Sequence, residues 1–297
     1  MESSRARSSR FVGNATVIER LCITVLADNY VAAPSVLGEH RLSLLIEADG
    51  RRILFDTGQG KGLAGNANAL GADLSKIDAV VISHGHFDHT GGLAELLRNC
   101  SPNTIYLHPA ALQPKYAKSD NLPHRFIGIP EPSREALNAL HNRIVWTESV
   151  AEIIPGVCCT GEIPRLPANS PRESGFFLDR DCQEPDPLAD DQAVYIETTN
   201  GFVVIAGCAH AGVGNTLDRV ARLTGQDEFF GLVGGLHLWR STRQELEANG
   251  DAIGKRKFQI IAPCHCTGLG AHSYLRTRFH SLVQEVGAGT RLHFGEV

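Results

Sequence analysis

The chain reads as short apolar runs alternating with segments of helical period. LCITVLA (21–27), RLSLLIE (41–47) and RRILFDTG (51–58) have the length and the closing turn residues of strands. NANALGADL (66–74) is helical, KIDAVVISH (76–84) is a buried strand, GGLAELLRN (91–99) a helix and NTIYLH (103–108) a strand. The second half repeats the theme. AVYIET (193–198) and FVVIAGC (202–208) are strands, followed by the helical GNTLDRVARLTG (214–225) and the strand EFFGLVGG (228–235). STRQELEANGDAI (241–253) is helical, FQIIAPCH (258–265) a strand and AHSYLRTRF (271–279) a final helix. Strands interleaved with helices, each half opening on a strand pair, predict an α/β fold of two mixed sheets between helix layers.

The stretch 108–190 breaks this rhythm, holding 11 of the chain's 14 prolines and few apolar runs. Proline removes a backbone donor and fixes φ, so the stretch is expected to be largely irregular, an insertion that caps a site. Residues 1–15 (beginning MESSRARSSR) are expected to be a disordered tail, and 16–297 one domain carrying the insertion. A net charge of −5 with no run of five or six like charges argues against nucleic acid as a partner. Apolar stretches such as FVVIAGCA (202–209) fall far short of the ~18–20 residues that span a bilayer, so no membrane partner is expected. The eight cysteines come without an apolar leader, which favours reduced thiols and a cytoplasmic location.

The decisive motif is HGHFDHTGG (84–92), directly after the strand DAVVIS. A strand end followed by a glycine-rich turn sends alternate side chains to one side, so His84 and His86 converge on one cation. Asp88 and His89 face a second position. Imidazole with carboxylate suits Zn, Fe or Mn, whereas an all-oxygen set would point to Mg or Ca.

HGHFDH resembles the metal signature of the metallo-β-lactamase superfamily, whose fold is the αββα sandwich. RRILFDTG resembles its first motif, with Asp56 as the buried acid behind the metal ligands. IIAPCHCTG resembles its last, with His265 as a ligand of the second cation. More narrowly, DN near residue 28, GEHRLSLLIE, NANALG, AGCAHAGVGN and GGLHL resemble a branch that includes archaeal dihydropterin-(ribofuranosyl)aminobenzene-phosphate synthases and bacterial metal-dependent hydrolases without assigned substrates. Arg41 departs from that branch, where a glycine is expected after the histidine.

A second departure is from the superfamily at large, which usually has a third first-site histidine before a strand pair and a bridging aspartate after it. Here no histidine lies between His141 and His210, and Cys208 stands at the bridging position. His210 is the best placed substitute, with Asp190, Asp191 and Glu162 weaker ones. Cys208 is either a thiolate ligand or a small buried apolar residue. In an extended segment Cys264 and Cys266 point away from His265, into packing. His237, after the strand of GGLHL, is either a core histidine or a group that serves the substrate without binding metal. His40, Asp28 and Asn29 are placed to line the pocket.

The metal set is therefore His84, His86, Asp88, His89, Cys208, His210 and His265, with Asp88 and His237 as catalytic residues. Two divalent cations are expected, zinc first, with manganese or iron as alternatives. Such a pair turns water into a nucleophile near neutral pH. The reading is a hydrolase that uses a metal-bound hydroxide on a phosphorylated or otherwise anionic small molecule. Two alternatives stand beside it: a pterin transferase like the archaeal synthases, and a mononuclear iron enzyme that oxidises persulfides.

Overall fold

The computed structural model describes residues 16–119, 122–166 and 175–295. The segment read as a tail, 1–15, lies outside the described residues. The first half contributes β1 (Arg20–Ala27), β2 (Ser43–Ala48), β3 (Arg51–Phe55), α1 (Leu63–Ala69), β4 (Ala79–Val81), α2 (Phe87–Thr90), α3 (Leu93–Asn99) and β5 (Thr104–Leu107). Next come β6 (Tyr116–Ser119), β7 (Leu122–Phe126), α4 (Glu131–Ala139), β8 (Ile144–Trp146), β9 (Ala151–Ile154), β10 (Val157–Cys159) and β11 (Phe176–Phe177). The rest comprises β12 (Ala193–Thr198), β13 (Gly201–Ala206), α5 (Val213–Thr224), β14 (Gly231–Gly235), α6 (Arg243–Gly254), β15 (Ile260–Cys264), α7 (Leu269–Phe279) and β16 (Arg291–Gly295).

Among the described residues, one sheet runs β16-β1-β2-β3-β4-β5-β8 and a second β15-β14-β13-β12-β10-β9. Both are mixed: β3, β4, β5 and β8 are parallel in the first, and β13, β14 and β15 in the second. The apolar runs are continuous because both faces of each sheet are covered. On β2, Leu44 and Ile46 point into the core between the sheets, while Leu45 packs outward beneath Leu63 of α1 and Leu93 of α3. On β13, Val203 and Ile205 face the same inner core, while Val204 and Ala206 meet Leu217 of α5 and Leu275 of α7. This is the expected αββα sandwich.

The helices have local causes. α5 starts after Gly212 (φ 100) and ends on Gly225 in the left-handed region (φ 71), where a Cβ would be strained. α6 opens on a reciprocal box in which Thr242 caps the Glu245 amide and Glu245 reaches back to the Thr242 amide.

The expectation of one irregular insertion at 108–190 needs correction. β8 adds an edge strand to the first sheet, and β9 and β10 complete the second. Proline does not prevent this, because it falls mostly between these short strands or at the first turn of α4. Among the described residues, only the small sheet β11-β6-β7 stands apart from the two main sheets, beside the pocket.

β1, β3, β4, β13, β14 and β15 end at one edge of the sandwich. There the backbone kinks sharply: Asp56 after β3, Ala209 after β13, His237 after β14 and His265 after β15 have φ of 60°, 52°, 49° and 51°. Each kink ends the two-residue alternation of its strand and turns the following side chains toward a common point.

Candidate metal centre

The HGHFDH motif lies between β4 and α3, and its four donor residues are buried. His84 Nε2 lies 2.9 Å from His86 Nδ1, and His84 Nδ1 lies 2.9 Å from Ser83 Oγ. His210, delivered after β13, places its ring 4.7 Å from that of His84 and 4.9 Å from that of His86. His84, Cys208 and His210 each offer a donor atom within 4.8 Å of the others. The three histidines expected at a first cation are therefore brought together. The weaker substitutes are engaged elsewhere or point away. Asp190 accepts the Gly85 amide (2.7 Å) and Lys115 Nζ (2.9 Å), Asp191 accepts the Ala211 amide (2.7 Å), and Glu162 is exposed.

A second group, His89, Cys208 and His265, is as compact. His89 Nε2 lies 3.2 Å from His265 Nε2 and 3.3 Å from Cys208 Sγ. Asp88 Oδ2 reaches to 3.5 Å from His265 Nε2 and 3.2 Å from His40 Nε2, so His40 forms the outer rim. Cys208 belongs to both groups, at the position between them.

Supporting contacts fix these rings. Asp56 Oδ2 lies 2.7 Å from His89 Nδ1, and a carboxylate only accepts, so the ring proton sits on Nδ1 and Nε2 keeps its lone pair for the centre. The same carboxylate takes the Ser83 hydroxyl and amide, each at 2.7 Å. His265 is held through its amide by Asp28 Oδ1 (2.7 Å), and its Nδ1 lies 3.1 Å from Asn29 Oδ1. Asp28 and Asn29 thus brace the site from behind rather than line its pocket.

Burial, joined by the neighbouring imidazoles, holds His84 and His86 well below the usual histidine pKa. Burial likewise brings His265 down to about 4. At Asp88 burial disfavours the charge, but the surrounding imidazoles outweigh it and hold the carboxylate ionised. Neutral imidazoles beside an ionised carboxylate are the protonation states that metal ligation requires. His86 Nε2, moreover, is buried with no hydrogen-bond partner among the described residues, a costly arrangement unless an electrophile meets it. The donor set fits divalent cations of the zinc, manganese and iron group.

Cys266 was missed by the alternation argument. β15 ends at Cys264, and the left-handed turn at His265 breaks the extended geometry on which that argument rested. Cys264 does pack into the core between the sheets, but Cys266 Sγ accepts the His237 amide at 3.2 Å and faces the cluster. Arg41 also has a place: its guanidinium is fully buried against Glu39 and Leu37 O, and a Cβ on Gly62 would lie 2.5 Å from its Nη2. His237, half-buried, lies beside His210 with ring centroids 4.4 Å apart and the rings tilted by 48°.

Above the centre lies a cavity of about 800 Å³. Its walls include His86, Asp88, Cys208, His210, His237, His265 and Phe176. Lys118, Arg125, Arg240 and Arg243 stand on its lining against the carboxylates of Asp88 and Glu245, the latter tied to the α6 cap.

The sequence profile of the metallo-beta-lactamase superfamily matches residues 38–249. The chain belongs to that superfamily. It is 25% identical to the 7,8-dihydropterin-6-methyl-4-(beta-D-ribofuranosyl)-aminobenzene-5'-phosphate synthase of Methanocaldococcus jannaschii, over 95% of this chain and 99% of that one. An uncharacterised protein of the same archaeon is 30% identical over 84% of this chain and 91% of its own. Among solved structures, Tm1679, described as a metal-dependent hydrolase of the β-lactamase superfamily, superposes with a TM-score of 0.78. Its sequence identity is 30%, with 93% of this chain and 100% of that one covered.

Proposed function

We propose that the protein is a metal-dependent hydrolase acting on a phosphorylated or otherwise anionic small molecule, with two divalent cations, zinc foremost. The observation that carries the reading is the convergence of two donor groups sharing Cys208 under a cavity with a basic lining. Two adjacent groups also favour a cation pair over the single iron of a persulfide-oxidising enzyme. Bound cations would activate a water and polarise the bond it attacks.

The chain's own residues would do the rest. His84, His86 and His210 would hold one cation and His89, Asp88 and His265 the other, with Cys208 available to either. Asp88 is placed to orient the attacking water and keep its proton at Oδ2. Asp56 keeps the His89 ring in register. Lys118 and Arg125, from the small sheet, and Arg240 and Arg243 would bind the anionic group. Phe176, whose ring lies 5.1 Å from His86 and 5.3 Å from His210, forms an apolar wall that keeps bulk water from the donors. His237 would hold an anionic oxygen or give a proton to the leaving group, two roles open to an imidazole on the cavity wall.

The test is a panel of phosphomonoester and phosphodiester reporters and the β-lactam nitrocefin, with manganese or zinc supplied. Phosphoester turnover with poor nitrocefin hydrolysis is expected, and His237→Ala should keep its metal and fold while losing at least about tenfold in turnover, within the range of general acid catalysis. Efficient nitrocefin hydrolysis with inert phosphoesters would reverse the reading. A second reading, synthesis of a dihydropterin–ribofuranosylaminobenzene phosphate, is favoured by the end-to-end similarity to the archaeal synthase. Formation of that product by the purified protein would establish it.

A further inference from the structure

We propose that Cys208, His237 and Cys266 form a further binding position for a thiophilic divalent cation, one that shares Cys208 and His237 with the catalytic groups above and adds Cys266, and that its occupation silences the site. The silencing half rests on the hydrolase reading; the binding half does not.

Three neighbouring parallel strands each deliver one donor just past their ends: Cys208 after β13, His237 after β14 and Cys266 after β15. The two sulfurs and a ring nitrogen of His237 lie within 4.8 Å of one another. Because β14 runs between the other two strands, the sulfurs can meet only if the intervening chain is slim. It is: a Cβ on Gly235 would fall 2.7 Å from Cys266 Sγ and 2.2 Å from Gly207 O. The His237 amide donates to Cys266 Sγ at 3.2 Å, the kind of contact that settles a ligating sulfur. Both cysteines are buried, yet all three residues line the cavity, which leaves an entry path and an open coordination position.

Two sulfurs and an imidazole are a soft donor set, suited to cadmium far better than to the harder manganese or magnesium. Cys208 is also the donor shared by the two catalytic groups, and His237 is the imidazole offered to the substrate. A cation on this triplet therefore withdraws both at once. The site has two competing uses for one sulfur, and the softness of the available ion selects between them.

The experiment titrates the manganese-loaded protein with cadmium, reading the ultraviolet cadmium–thiolate charge-transfer band, the cadmium NMR shift and residual phosphoester turnover. The wild type should show two sulfur donors per cadmium and lose turnover as the band grows. Cys266→Ser should show one, bind cadmium about tenfold or more weakly, and retain basal turnover and the manganese held by His84, His86 and His210. A single sulfur donor in the wild type, or unchanged cadmium affinity in Cys266→Ser, would overturn the site; the NMR shift of the wild type decides even if the variant does not fold. Two-sulfur binding with undiminished turnover would refute silencing, whereas two-sulfur binding by a protein inert toward every phosphoester would refute the hydrolase reading and leave the site standing.

Discussion

At the residue scale the centre depends on a few side chains whose alternatives are otherwise engaged. His210 has no histidine rival in the preceding stretch, and the nearby carboxylates of Asp190 and Asp191 accept backbone amides. His210→Ala should therefore lose the cation of the His84/His86 position, while His124→Ala and His141→Ala, at exposed positions, should not. Elemental analysis after metal-free dialysis and reconstitution checks this, and full occupancy in His210→Ala would return attention to the carboxylates. The HGHFDH run, Asp56 and His265 were legible because they sit in contiguous motifs. Cys266 was not, since its orientation depends on one left-handed residue, and φ at a histidine leaves no mark in composition or period.

At the element scale, the link between the small sheet and the metal loop is a buried lysine. Lys115, just before β6, is 1% exposed and places Nζ 2.8 Å from Asp186 and 2.9 Å from Asp190. Asp190 in turn holds the Gly85 amide within the metal motif. Burial disfavours the ammonium, but the two aspartates outweigh it and raise its pKa above the ordinary 10.5. A raised pKa means that the stabilisation is complete below the unfolded value and fades only as pH climbs through the higher folded one. Lys115→Met, which strands two buried carboxylates, is expected to cost about 3–5 kcal/mol in urea unfolding near neutral pH. The deficit should hold up to the ordinary lysine pKa and narrow above it; an unchanged midpoint would show that the contact contributes nothing. This contact was invisible beforehand, because its partners lie 71 and 75 positions away and β6, β7 and β11 are too short to carry a clear period. The long strands with both faces covered were legible for the opposite reason.

At the scale of the whole molecule, the donors come from both sheets. His84, His86, Asp88 and His89 follow β4 of one, and Cys208, His210 and His265 follow β13 and β15 of the other. The cations would thus tie together two layers otherwise joined by the core between them. Two equivalents per chain are expected, falling toward one in His89→Ala and His265→Ala. Chelation should lower the thermal midpoint by roughly 5–10 °C relative to protein with free cation at about a hundred times its Kd. No more than one equivalent after anaerobic reconstitution would sink the paired site. The layered architecture was readable from alternation alone, but β16, with its short mixed pattern, was not, and among the described residues no helix is long and apolar enough to cross a membrane.

His89 meets His265 across 176 positions, and β16 returns to pair with β1 through Arg20 and Gly295. Ribosomes deliver the chain from its N-terminus, so the HGHFDH tip exists as a half-site until His265, 176 positions after His89, has emerged. Contacts this distant in sequence form only after the cost of closing the intervening loop has been met. The donor groups would then be gathered by folding itself, unlike those of zinc fingers, where the ion gathers the chain. Refolding followed by the fluorescence of Trp146 and Trp239 should proceed at the same rate in zinc and in chelator, and a zinc-accelerated rate would mean that the nascent half-site recruits its partners.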